Sequence, residues 1–188
     1  MNEEQFKRSA ALLSNFKTRS EITLEEIPAP QKLAKFAYAL SADVSNGLIG
    51  DAEAELANGR FVILHEPGGQ DSWEGKYRCV TFANADLDAT EADDPNLPEH
   101  GWNWLLKALE ENGCNFAAPS GTVTRAISHS FGKLSTNNDG GEIEIRASWT
   151  PIISKGEELV GHLQAWCHFL AEISYLQPIP EGVATFRR

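Results

Sequence analysis

Residues 120–131 carry the most unusual mixture of side chains in this chain. Because successive side chains of a strand point to opposite faces, one face would hold small and mostly hydroxylated residues, namely Thr122, Thr124, Ala126, Ser128 and Ser130. The opposite face would hold Val123, Arg125, Ile127, His129 and Phe131. If the small face packs inward, the apolar side chains and the two basic ones form an open surface that suits a partner. If the larger face packs inward, Arg125 and His129 need buried hydrogen-bond partners. The sequence leaves both arrangements open.

The neighbouring stretch 142–149 adds an acidic, a basic and an aromatic residue that could share this surface. The resulting candidate binding surface is Thr122, Thr124, Arg125, His129, Glu144, Arg146 and Trp149. Two arginines in one pocket suit a carboxylate or phosphate, so an anionic ligand near Arg125 and Arg146 is one hypothesis. An open face that binds a protein is the other hypothesis, and an ordinary structural face with cross-strand pairs is the alternative to both.

Motifs for enzymatic chemistry are missing from the sequence. There is no phosphate-binding G-x-x-x-x-G-K-[ST] loop and no dinucleotide-binding G-x-G-x-x-G. There is also no G-x-S-x-G nucleophile turn and no H-E-x-x-H zinc motif. The acidic stretch 86–94 lacks the spacing of a calcium loop and is interpreted as a solvated loop. We therefore assign no catalytic residue, cofactor or metal ligand, and lean against an enzyme.

Two acid–histidine pairs lie at helical i, i+4 spacing, Glu158 with His162 and His168 with Glu172. They could in principle supply metal ligands, but the two histidines are six residues apart and project in different directions. Cys167 is adjacent to His168, and adjacent residues on a helix do not face each other. Surface pairing of these side chains is the favoured interpretation.

Composition narrows the class of protein further. The chain has 188 residues, a formal net charge of −11 and 41% hydrophobic residues, as in an ordinary globular domain. The negative charge disfavours direct nucleic-acid binding, which needs a basic face. Three widely spaced cysteines and the absence of a long apolar stretch indicate a cytoplasmic protein without a disulfide framework or a membrane span.

Periodicity predicts the order α-βββ-α-ββ-α. Residues 3–17 and 98–112 have helical spacing, and a third helix follows Ser154, which with Glu157 matches a capping box. The predicted strands are 34–44, 60–65, 77–87, 122–131 and 142–150. The Pro-containing stretch 22–31 is predicted to be a connector, residues 67–69 a turn, and 132–141 a polar loop.

This order predicts an α+β fold with an antiparallel sheet of about five strands and helices mainly on one face. The chain is predicted to be one domain over residues 1–188. An N-terminal helical region occupies residues 1–20 and an extended tail occupies residues 177–188.

Four sequence blocks, in order, resemble an actinobacterial family of domains of unknown function that carries the number 3000. They begin at Ala37 (AYALSA), Pro119 (PSGTVTRA), Ile143 (IEIRASWTP) and Ala165 (AWC). The likeness runs from about residue 20 over nearly the whole chain, and it brings no activity with it. It implies a genomic neighbourhood with a ribonuclease D-like gene, so regulation of a neighbouring nuclease is a further hypothesis.

The element order also resembles that of type III secretion chaperones and YbjN-like proteins, although no motif supports this link. That resemblance implies a small, acidic, non-enzymatic protein that binds another polypeptide and often dimerises. The leading hypothesis is therefore a chaperone-like or regulatory protein-binding module with a protein partner and a possible homodimer. A small-ligand protein or enzyme is the alternative.

Overall fold

The computed structural model describes residues 2–48, 54–134 and 140–178. Four α-helices lie in this part of the chain: α1 (Glu3–Ser14), α2 (Ala89–Ala92), α3 (Leu97–Glu111) and α4 (Leu159–Ile173). The strands are β1 (Ile22–Glu26), β2 (Phe36–Ser45), β3 (Glu55–Gln70), β4 (Gly75–Asp88), β5 (Phe116–Ser128) and β6 (Gly140–Pro151). The predicted tail lies outside the described residues beyond Pro178, as do residues 135–139 of the predicted polar loop.

The six strands form one antiparallel sheet in the order β1-β2-β3-β4-β6-β5. This confirms the predicted α+β fold with an antiparallel sheet, which has one strand more than the predicted number of about five. The missed strand is β1, which was interpreted as part of a connector because of Pro28 and Pro30. Both prolines lie beyond Glu26, the last residue of β1, so the pairing of Ile22 with Val44 and of Glu26 with Leu40 needs none of their missing N–H groups.

Two further local predictions were wrong. The predicted turn at residues 67–69 belongs to β3, where the register shifts between His65 and Gln70, and the chain reverses instead at a 3-10 turn, Asp71–Trp73. The acidic stretch 86–94 is not wholly a loop, because Asp88 caps the short helix α2 by accepting hydrogen bonds from the amides of Thr90 and Glu91, both 2.8 Å long. The element order is therefore α-ββββ-αα-ββ-α.

The start of α4 also differs from the predicted capping box. A 3-10 turn, Gly156–Glu158, precedes the helix. The carboxylate that reaches back is that of Glu158 rather than Glu157, and it accepts hydrogen bonds from the backbone amides of Ser154 and Lys155. The extra turn before the helix moves the acidic cap by one residue.

All four helices pack on the same face of the sheet. In α1, Phe6 stacks on Phe36 and His65, with ring centroids 5.5 and 6.0 Å away. In α4, the ring of Trp166 lies 5.3 Å from that of Phe61. The helix α3 approaches β6 so closely that a Cβ atom on Gly101 would lie 2.8 Å from Ile143 Cδ1. Ala92 of α2 packs on the same side, against Gly141.

The contact between α4 and the sheet depends on a glycine in β3. A Cβ atom on Gly59 would lie 2.9 Å from both the carbonyl oxygen of Phe82 and the Trp166 ring, and 3.3 Å from Leu170 Cδ2. Gly59→Ala should therefore lower the free energy of unfolding by about 1–3 kcal/mol, because a packed core cannot take up the added methyl group. Urea denaturation measures the loss. The control is Gly68→Ala in the same strand, where a Cβ atom would meet nothing within 4 Å, and equal losses in both variants would contradict the prediction.

Candidate functional site

The opposite face of the sheet carries none of the described helices and is here called the helix-free face. Cross-strand partners share a face, so the register defines its composition. One row across four neighbouring strands consists of Arg60, Phe82, Arg146 and Thr122, and the next row consists of Val62, Val80, Ser148 and Ser120. A third row consists of Asn58, Asn84, Glu144 and Thr124. The face is therefore mixed, with hydroxyl, amide, charged and apolar side chains.

The structure brings four of the predicted site residues together on this face. Thr122 lies opposite Arg146, and Thr124 lies opposite Glu144. The Arg146 guanidinium is 65% exposed, and its Nε donates to Glu144 Oε1 over 2.9 Å. This ion pair raises the pKa of Arg146 above its ordinary value. The small face of β5 is thus the solvent side, and the larger face is the helix side.

The other three predicted residues lie elsewhere. Arg125 is opposite Ile143, whose side chain is fully buried under the helices, and its Nη1 donates to the carbonyl oxygen of Asp94 over 2.6 Å. Trp149 is 1% exposed. His129 lies just beyond the end of β5 and is exposed. Because Arg125 and Arg146 extend from opposite faces of the sheet, they cannot hold one anion between them.

A small apolar cluster occupies the centre of the helix-free face. It consists of Val62 on β3 with Val80 and Phe82 on β4, and all three side chains are half-buried. The guanidinium carbon of Arg146 lies 5.5 Å from the centroid of the Phe82 ring, in cation–π contact. Arg60, opposite Phe82 on the other side, is exposed. Central strands that face solvent usually carry polar side chains, so this cluster distinguishes the face.

Acidic residues outnumber basic ones around the cluster. The register turns five carboxylates to the helix-free face, those of Glu25, Asp43, Asp86, Glu142 and Glu144. The exposed basic residues of the same rows are Arg60 and Arg146. Since Arg146 is already paired with Glu144, the exposed charge of these rows is net negative.

A buried arginine that the sequence analysis missed lies at one end of this face. Arg78 of β4 is 7% exposed. Its Nη1 donates to the carbonyl oxygen of Ala118 (2.9 Å) and to Thr150 Oγ1 (3.1 Å). Its Nη2 donates to the hydroxyls of Ser120 (2.9 Å) and Ser148 (2.7 Å). Burial lowers the pKa of Arg78 from its ordinary value, and a guanidinium still remains charged.

The residues that form the hydrogen-bond network of Arg78 are spread over three strands, so no single stretch of sequence indicates it. Ser148 and Thr150 alternate on β6, and Ser120 follows an irregularity in β5, where the register shifts between Ala117 and Ser120. These hydroxyl groups can be identified as partners of Arg78 only when the pairing of β4 with β6 is known. The network borders a shallow groove of about 390 Å³, lined by Val80, Thr81, Ser120, Gly121, Thr122, Arg146, Ala147 and Ser148.

A larger cavity of about 850 Å³ lies on the helix side, between α3, α4 and residues 16–19. Lys107 on its wall is already paired with Glu172 at 3.5 Å and with Glu111 at 3.9 Å. The Asn112 amide lies 3.0 Å from His168 Nδ1. The predicted surface pair of His168 and Glu172 is therefore replaced by two separate contacts with α3.

The second acid–histidine pair, Glu158 and His162, is not a surface pair. His162 is 1% exposed, and the Trp149 indole N–H donates to its Nδ1 over 3.1 Å. Burial lowers the pKa of His162 to about 4. Burial likewise raises the pKa of Cys114 to about 11 and that of Cys167 to about 12. Such thiols stay protonated near neutral pH and are poor nucleophiles.

Fold and site together define an α+β protein with one helix-covered sheet face and a second face that carries none of the described helices. No helix among the described residues is long and apolar enough to span a membrane. The chain belongs to the family described as "Protein of unknown function (DUF3000)", whose model matches residues 2–184. This confirms the family resemblance read from the sequence blocks. No curated protein and no solved structure matches the chain.

Proposed function

We propose that this protein is a non-enzymatic, chaperone-like or regulatory binding module that holds a basic polypeptide segment of a partner on its helix-free face. The observation that carries the proposal is the apolar cluster of Val62, Val80 and Phe82 in the centre of that face. Apolar side chains that remain partly in water on central strands gain free energy when a partner covers them. Phe82 lies between Arg60 and Arg146, which gives this end of the cluster a polar rim, as interfaces have.

The charge of the face supports a basic partner. Carboxylates of Asp43, Asp86 and Glu142 lie on the same face, on the Phe82 side of the cluster, and the chain as a whole carries a formal charge of −11. A basic segment would be steered towards this field, and its Lys or Arg side chains would lie over the carboxylates while an apolar side chain covers Phe82. We place this function in the cytoplasm, in keeping with three unpaired cysteines.

Two of the three side chains of the apolar cluster can be made polar with little change of their shape. In the variant Val62→Thr/Val80→Thr each valine is replaced by a residue of similar shape that also favours strands. Co-purification from the organism that encodes the chain identifies the partner, and calorimetry with the purified partner measures the dissociation constant. We expect the double variant to raise this constant at least about tenfold. The control Ile152→Thr makes the same kind of change at a 56% exposed apolar side chain just beyond the end of β6, outside the cluster, and should bind like the wild type.

Electrostatics give a second readout of the same proposal. Asp86→Asn/Glu142→Gln should weaken binding a few-fold and flatten its dependence on salt, because exposed ion pairs are screened by salt. The proposal is refuted if the double valine variant keeps wild-type affinity, or if no stoichiometric protein partner is found. It is also refuted if the partner binds equally well at low and high salt.

A further inference from the structure

The outer edge of β5 is a second uncovered feature of the sheet. The strand is 13 residues long and pairs only with β6, at the end of the strand order. Within residues 2–48, 54–134 and 140–178, no backbone hydrogen bond reaches its outer edge from Gly121 to Ser128. Unpaired N–H and C=O groups in a row are a template for another strand.

The two edges of the sheet differ in how they are protected. At the other edge, β1 is only five residues long and carries Glu25 and Glu26, with Pro28 and Pro30 directly after it. Charges, prolines and short length are the usual devices that prevent strand addition. The stretch Gly121–Ser128 of β5 has none of them: it contains no acid and no proline, and its single charged side chain, Arg125, is held on the helix side by Asp94.

Exposed apolar side chains occur in this strand and in the segment directly after it. Ile127 in β5 is 40% exposed. Phe131 and Leu134, in the segment that follows the strand, are 81% and 62% exposed. An added strand would cover Ile127, and a body attached to that strand would reach Phe131. The unpaired backbone and these side chains together make an interaction surface rather than an isolated edge.

We propose that two copies of this chain pair antiparallel through β5 about a two-fold axis, which makes one continuous sheet across the dimer. Charge limits where a second copy can dock, because two chains that each carry −11 repel each other and can make close contact only at a strand without acids. The strand Phe116–Ser128 contains no Asp or Glu. Pairing of this kind is isologous, so every contact occurs twice.

The side chains of β5 are also compatible with those of a second, antiparallel copy of the same strand. With the axis through Thr124, the Ile127 side chain of one copy lies opposite Gly121 of the other, where a Cβ atom would lie 2.8 Å from the Trp102 ring, so Ile127 would pack on that ring. Arg125 then lies opposite Val123 rather than opposite its own counterpart, so like charges do not face each other. The helix-free faces of both copies become neighbours on one sheet. This inference does not depend on the proposed function, because a dimer can form whether or not a basic segment binds.

Analytical ultracentrifugation of the full chain at roughly 1 to 200 μM tests the dimer, since a strand-pairing interface of modest size dissociates in this range. We expect a monomer–dimer equilibrium in the wild type. Thr124→Lys and Thr124→Glu should each raise the dissociation constant at least about tenfold by placing like charges across the axis. An equimolar mixture of the two variants should dimerise again, because unlike charges then meet.

The matched control is Thr23→Lys, which adds the same charge to an exposed threonine on the other edge strand and should leave the dimer intact. Hydrogen exchange adds a local readout: amides in Gly121–Ser128 should be more protected at high than at low chain concentration, and this difference should vanish in Thr124→Lys. A wild type that is monomeric at every concentration overturns the proposal. A dimer that Thr23→Lys disrupts and Thr124→Lys leaves intact overturns it as well.

Discussion

Replacing Arg78 with methionine should lower the free energy of unfolding by about 3 kcal/mol, the size expected when a buried charged donor is removed from its acceptors. Methionine fills much of the space of the arginine stem, so the loss reports the guanidinium. The four hydrogen bonds to Ala118, Ser120, Ser148 and Thr150 disappear together. The Ser120 and Ser148 hydroxyls can still bond each other at 3.3 Å, which keeps the loss from being larger.

The control for this prediction is Arg60→Met, on the neighbouring strand and the same sheet face. Arg60 is exposed, so its replacement should change the free energy of unfolding by no more than about 0.5 kcal/mol. Chemical denaturation of both variants gives the comparison. Arg78→Lys should recover less than half of the loss, because an ammonium group cannot reproduce the planar fork of donors. Equal stability of the two methionine variants would show that the Arg78 network does not stabilise the fold.

Acidification should destabilise the protein through His162 by up to about 3 kcal/mol, from a folded pKa of about 4 against 6.5 for the free side chain. The folded state keeps His162 neutral because it is buried and accepts the Trp149 hydrogen bond. The unfolded chain binds a proton below pH 6.5, whereas the folded chain binds it only near pH 4. The contribution to stability is therefore complete above pH 6.5 and is lost as the pH falls from 6.5 to 4.

Denaturation curves of the wild type and of His162→Gln between pH 7.5 and 4 test this prediction. The variant should show a shallower fall of stability across the window, by about 3 kcal/mol in total. His168→Gln is the control, because that imidazole is exposed, and it should keep the wild-type slope. The hydrogen bond with Arg19 is the main cause that lowers the pKa of Glu21 to about 2. The contribution of Glu21 to the stability of the fold is therefore lost only below pH 4.5. Identical slopes in the wild type and in His162→Gln would refute the assignment.

Several elements of the fold could be predicted from the sequence because their signals are local. The alternation from Ala34 to Val44 follows from a strand with one buried face, and Phe36–Ser45 forms such a strand. Apolar spacing in α3 predicted that helix to within one residue at each end. Family membership could also be predicted from the sequence, since it depends on blocks of sequence rather than on contacts. The short strand β1 was missed because the nearby prolines indicated a connector. Only the pairing with β2 shows that these residues form a strand.

The composition of the candidate site depended on tertiary structure. Sequence alternation separated residues 122–131 into two faces, but only the register of Thr122 with Arg146 and of Arg125 with Ile143 decides which face meets solvent. For the same reason Trp149 belongs to the core, and Arg78 has partners from two segments distant in sequence, 118–120 and 148–150. The sequence by itself determined the elements, the family and the acidic charge, because these are local or additive properties. The tertiary structure alone decided which side chains converge, because a sheet face is assembled from strands that the chain order does not make neighbours.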